Sequence, residues 1–112
     1  MILPSLENIK EAHRRIKSYV HRTPVMTSTQ INRISGAEIF FKCENFQKVG
    51  AFKFRGAMNA VLLLKEEEVR EVITHSSGNH AAALALAAKM AGMKAYVVMP
   101  RTAPSVKINA VR

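Results

Sequence analysis

Val72-Ile73-Thr74-His75-Ser76-Ser77-Gly78-Asn79-His80, running into the alanine-rich stretch that ends at Gly92 and then into Ala95-Tyr96-Val97-Val98-Met99-Pro100, decides the fold. A short β-branched run, a polar turn, a block of helix formers closed by glycine and a second apolar run stopped by proline fit strand, helix and strand within roughly thirty residues. That is the parallel crossover unit, so the predicted class is α/β, a parallel sheet with helices on both faces and Ala95–Met99 as a buried strand. The turn falls at the carboxyl end of a parallel strand, where ligands of open α/β sheets sit. A helix start presents unpaired N–H groups and a partial positive charge, and glycine admits an anion close to the backbone. Two hydroxyls, an amide and an imidazole, from Ser76, Ser77, Asn79 and His80, therefore suit a carboxylate or a phosphate. A simpler reading stays open, in which Ser77 or Asn79 only caps the helix.

Toward the amino end, Phe52 to Lys65 is rich in helix formers, with Ala57, Ala60, Val61 and Leu64 as the expected inward face. Its start reads Ala51-Phe52-Lys53-Phe54-Arg55-Gly56-Ala57. A lysine between two phenylalanines loses hydration if it is buried, which lowers its pKa and frees the amine to attack a carbonyl. Lys53 stretched over apolar neighbours with its charge in water is the other possibility. Further back, Ser5 can cap a helix with Leu6, Ile9, Ile16 and Val20 on one stripe, His13 among them, reaching about Tyr19. Thr27 or Ser28, then Ile31, Ile34 and Gly36, predict a short second helix. Glu38 to Cys43 predicts a strand, Glu44 to Gly50 a loop, and Glu66 to Glu71 a solvated charged turn. Toward the carboxyl end, Pro104 suits a first helical position, and Val106, Ile108, Ala110 and Val111 begin an apolar face that no later strand covers. The 112 residues are thus expected to be a single incomplete unit, truncated at Arg112.

Composition bounds the function. Hydrophobic residues at 48% and charged residues at 22% are globular values and exclude a disordered or collagen-like chain. Lys and Arg number 17 against 8 acids, all glutamate, for a net charge of +9. Apart from His13-Arg14-Arg15 with Lys10 and Lys17 nearby, the cations are scattered along the chain, and Trp is absent, so no nucleic-acid partner is expected. A larger protein with a more acidic remainder would account for the charge. Cys43 alone cannot form an internal disulfide and is expected to be buried and inert, and Met1-Ile2-Leu3-Pro4 does not resemble a secretory leader, which points to the cytoplasm. No apolar stretch approaches the roughly 20 residues of a membrane span. His13 and His21 lack a second ligand nearby, so no metal site is expected, and His75 is expected to support the site without reacting.

Two motifs in order, Phe52-Lys53-Phe54-Arg55-Gly56-Ala57 and His75-Ser76-Ser77-Gly78-Asn79-His80, resemble those of the fold-type II pyridoxal-phosphate enzymes, serine racemase and the serine and threonine dehydratases above all. Thr23-Pro24-Val25, Phe41 to Gln47, Val97 to Pro100 and Thr102-Ala103-Pro104 extend the resemblance over essentially the whole chain. It implies pyridoxal 5'-phosphate as cofactor, serine or threonine as substrate, and a homodimer for the full-length form. It also implies that residues 1–48 belong to the family's large domain and 49–112 to its small α/β domain. Lys53 matches the lysine that bonds the cofactor and then acts as general base at the substrate α-carbon. Phe52 matches the residue packed on the cofactor ring, and Asn79 the asparagine that hydrogen-bonds the ring's 3′ oxygen. Ser76, Ser77, Asn79 and His80 match the loop that receives the substrate carboxylate. Serine at position 77 is similar to the racemases, where it handles the proton on the face opposite the lysine, whereas many threonine dehydratases carry alanine. Either β-elimination or reprotonation can follow α-proton abstraction at such a site.

The sequence also departs from the family. Ala81 and Ala82 stand where many relatives have glycine and glutamine. The family's glycine-rich phosphate loop, its partner for the pyridine nitrogen and its divalent-cation ligands lie further along the chain than these residues reach. The 112 residues alone are therefore expected to show negligible catalysis. Two rival readings are a catalytically inactive fragment needing a complementing partner and a basic anion-binding module.

Overall fold

The computed structural model describes residues 3–111; Met1 and Ile2, part of the leader reading, and Arg112, the expected truncation point, lie outside the described residues. The elements in chain order are α1 (Leu6–Ile16), β1 (Val25–Met26), α2 (Thr29–Ser35), β2 (Phe41–Lys42), single helical turns at Glu44–Phe46 and Lys48–Gly50, α3 (Lys53–Glu66), β3 (Glu71–His75), α4 (Asn79–Ala91), β4 (Lys94–Val98) and α5 (Ser105–Asn109).

The crossover unit is present as the sequence predicts. β3 and β4 run parallel, in register from Glu71 opposite Lys94 to His75 opposite Val98. Ser76 N–H extends the ladder by donating to the Val98 carbonyl at 3.1 Å. α4 connects them and ends at Gly92, whose φ of 73° lies in the left-handed region that glycine adopts without strain. The core lies where α3 packs along α4: Phe54, Met58 and Val61 are fully buried against Ala83, Leu84, Ala87 and Ala88. Alanine's small side chains leave room for the bulky residues of the neighbouring helix. Those bulky residues also fix the rotation of α3, which turns Ala60 outward; Ala60 is exposed, and Phe54 and Met58 take the place the sequence reading gave it.

Both strands alternate exposed and half-buried residues, so neither is buried on two sides as expected for Ala95–Met99. Ile73, at 72% exposure, Tyr96 and Val98 form an open apolar face on this strand pair.

The amino-terminal segment keeps its predicted caps. Ser5 Oγ accepts from Asn8 N–H at 3.2 Å while Asn8 Oδ1 accepts from Ser5 N–H at 2.9 Å, a reciprocal box at the start of α1. α1 stops at Ile16, short of Tyr19, and of its apolar stripe only Ile16 is buried; Leu6 and Ile9 are exposed. Ser28 and Gly36 bound α2 as expected. The strand predicted over Glu38 to Cys43 shrinks to Phe41–Lys42, because its antiparallel partner is only Val25–Met26. Pro24 has no N–H to lengthen that ladder, and Ser28 already caps a helix. Pro104 is the cap residue of α5 and not its first helical residue.

Candidate functional site

The amino end of α4 has no side-chain cap. The cap residue is Gly78, extended at φ −121° and ψ −153°, and neither Ser77 nor Asn79 bonds a first-turn amide. Ser76 Oγ accepts instead from Gly78 N–H at 3.3 Å, which folds the turn back on itself. The capping reading of Ser77 and Asn79 is therefore overturned, and the positive dipole end of α4 has no side-chain cap among the described residues. A Cβ built on Gly78 would meet nothing within 4 Å, so the chain's own packing leaves open space over the turn. Ser76 and Ser77 are half-buried there, while Asn79 and His80 are exposed.

The start of α3 lies across from it. Lys53 is the first residue of the helix and Phe52 its cap residue, again without a capping side-chain hydrogen bond. Of the two flanking phenylalanines, Phe54 is fully buried and anchors the helix, whereas Phe52 is 62% exposed. The expected shielding of Lys53 is not found: the residue is exposed, with its ammonium 5.2 Å from the centroid of the Phe52 ring. The cause is helix phase, since burying Phe54 rotates its predecessor away from the core. Lys53 makes no salt bridge among the described residues.

A groove of about 300 Å³, bordered by Phe52, Lys53, Gly56, Ala60, His80 and Leu84, brings the lysine and His80 together. Asn79 faces a neighbouring groove of about 310 Å³, beside Gly78, Val49 and the α5 residues Val106 and Lys107. Ser76 and Ser77 border neither groove and sit in the turn itself. The predicted site residues thus gather around two adjoining helix starts, but not in one pocket. Their chemistry fits pyridoxal phosphate. An aldehyde needs an amine free of a fixed partner, a planar ring needs an exposed apolar platform, and a substrate carboxylate needs unspent N–H groups; Lys53, Phe52 and the start of α4 supply these.

Sequence reasoning missed a polar network behind Lys53. Arg55 Nε and Nη2 donate to Glu44 Oε2 and Oε1, both at 2.8 Å, and the Thr23 hydroxyl donates to the same carboxylate. Arg55 also reaches the His21 carbonyl at 3.2 Å, and Lys42 Nζ donates to the Thr23 carbonyl at 2.6 Å. Gln47, only 3% exposed, accepts from His21 N–H and donates to the His21 carbonyl. The Arg55 hydrogen bonds hold the Glu44 carboxyl at a pKa of about 2 against the opposing effect of burial, and Glu44 in turn raises that of Arg55. Glu44 and Arg55 share no helical or strand period, so only their place in the family-like stretches pointed to them. The cations also prove less scattered than the sequence implied: Lys17, Arg22, Lys42 and Arg55 meet His13 and His21 around a groove of about 540 Å³. Cys43 is half-buried, its thiol donating to the Phe41 carbonyl at 3.4 Å.

The chain is 63% identical over 105 residues to serine racemase of Arabidopsis thaliana, covering 93% of this chain and 32% of that protein. It is 52% identical over 113 aligned positions to beta-hydroxyaspartate dehydratase of Paracoccus denitrificans, covering 100% of this chain and 36% of that protein. Its fold matches the structure of maize serine racemase with a TM-score of 0.93 at 55% identity, over 98% of this chain and 34% of that one. The chain spans about a third of the length of the curated relatives it matches. The α/β fold with its parallel strand pair is that of the fold-type II enzymes. Residues 16–112 match the sequence model of the pyridoxal-phosphate dependent enzymes, and the chain belongs to that family.

Proposed function

We propose that this chain is the amino-terminal part of an enzyme that racemises serine or releases ammonia from a hydroxy amino acid such as serine or threonine. The observation that carries the reading is the pairing of an unpaired lysine at the start of α3 with an uncapped start of α4 across one groove edge. When bound, pyridoxal phosphate withdraws electrons from the substrate α-carbon and so makes its proton removable. Lys53 would hold the cofactor aldehyde and, with its amine free again, would move the proton on one face of that carbon, while Ser77 would move it on the other. Phe52 would pack against the ring and Asn79 would donate to its 3′ oxygen. Ser76, Ser77, Asn79 and His80, with the amides of the α4 start, receive the carboxylate.

Residues 1–48 belong in this reading to the large domain and 49–112 to the small one; the two strand pairs, which share no strand, support that division. A cytoplasmic homodimer without a nucleic-acid or membrane partner completes the proposal; no helix among the described residues is long and apolar enough to cross a membrane.

The test is to supply pyridoxal phosphate and L-serine and to measure pyruvate and D-serine. A full-length protein carrying this segment should form both, and Lys53→Ala should abolish both. The 112 residues alone should take up the cofactor at Lys53 without turnover. Cofactor uptake at a different lysine, or turnover by Lys53→Ala, would overturn the reading. The open apolar face of Ile73, Tyr96 and Val98 favours a second reading, a catalytically silent segment that folds against a complementing partner. That reading requires no cofactor uptake at all.

A further inference from the structure

The start of α3 has none of the usual supports of a helix start. Phe52 offers no capping hydrogen bond, the first turn holds no acid, and Lys53 and Arg55 place two positive charges at the positive end of the dipole. An end of this kind frays unless something else holds it. The missing negative charge comes from Glu44, which grips Arg55 through two hydrogen bonds of 2.8 Å in a fork-to-carboxylate arrangement. With side chains only 27% and 20% exposed, Arg55 and Glu44 are partly sheltered from water, where such a pair is worth more than on the open surface. The carboxylate is fixed in turn by Thr23, and the 21–23 segment by Gln47, Lys42 and Arg55 itself.

We infer that Arg55, held by Glu44, is a positioning residue for Lys53: it ties the first turn of α3 to the 21–23 and 44–47 segments, so that the amine projects from a fixed backbone toward the groove. The inference rests on the reading of Lys53 as the cofactor-bearing residue. Arg55 touches neither cofactor nor substrate in this account. Lysine cannot replace it, because a point charge does not reproduce the two-pronged bond.

Two measurements on the chain and its variants test this. One is amide hydrogen exchange across α3 and α4. The other is the site of the pyridoxyl group fixed by borohydride after adding pyridoxal phosphate, found by peptide mass spectrometry. In Arg55→Lys, exchange in the first turn of α3 should rise about tenfold, the loss expected for a charged hydrogen bond, while the buried part of α4 stays protected. The yield at Lys53 should fall and spread to other lysines. Glu44→Gln keeps a hydrogen bond but loses the charge and should show the same pattern more weakly. Unchanged exchange at the α3 start in both variants would overturn the inference. So would protection lost equally in α3 and α4, which would mark the pair as a general stabiliser. If the parent chain takes no pyridoxyl group at Lys53, the functional reading fails, while the exchange experiment still decides whether Arg55 holds the turn.

Discussion

The two helix starts that face each other in this molecule solve the same electrostatic problem in opposite ways. α3 begins with two cations, and a carboxylate from a distant loop, locked in a side-chain network, supplies the compensation. α4 begins with a glycine and no compensation, although two serines and an asparagine stand within reach. In the proposed reading, satisfying the first fixes the turn from which the Lys53 amine projects. Leaving the second unsatisfied keeps its amides available to an incoming anion. The contrast separates a compensated helix start from an uncompensated one, and it can be broken at either end.

The largest effect should come from the residue on which the geometry of both starts depends. Phe54→Ala removes a fully buried ring between α3 and α4 and should cost about 3–5 kcal/mol, read from the midpoint of urea denaturation. Next is the acid limb of stability. Glu44 has its folded pKa depressed from 4.5 to about 2, so its contribution is fully present above pH 4.5 and is lost as pH falls through about 2. Wild type should therefore lose stability more steeply between those pH values than Glu44→Gln, and parallel acid titrations would show that the network does not compensate α3.

At the other start the effects should be small. Ser77→Ala should change stability by less than about 0.5 kcal/mol, because Ser77 caps nothing. In a full-length protein it should remove D-serine formation while sparing pyruvate. A loss of about 1 kcal/mol would restore the capping reading. The smallest change should be Gly78→Ser, where a true cap replaces a bare one and gains only a few tenths of a kcal/mol in a thermal melt. The same variant should weaken carboxylate binding, since the new hydroxyl occupies an amide that the anion would use.

The α4 region was readable in sequence because its signals are local. A β-branched run, a turn, an alanine block and the glycine at position 92 each act within a few residues, as do the caps at Ser5, Ser28 and Gly36. The α3 start was not readable in the same way. Whether Lys53 is covered depends on the rotation that Phe54 and Met58 impose, and the Glu44 to Arg55 bond links residues 11 apart that follow no common period. Most of the length lost from the predicted strand, residues 38–40, lies opposite 27–29, where another segment turns into the cap of α2. The residue types at 76–80 were visible, but the separation of Asn79 and His80 into two grooves depends on where α5 lies.

The alanines of α4 have a further consequence. Ala83 and Ala87 have no exposed surface and lie in the core cluster with Phe54, Met58 and Val61, so their methyl groups help fix how closely the two helix axes approach. They act as a spacer gauge: a valine or leucine at either position would push the axes apart and shift position 53 relative to the bend at 76–80. In the proposed site, the reach between the Lys53 amine and the start of α4 is thus calibrated by side chains that line neither.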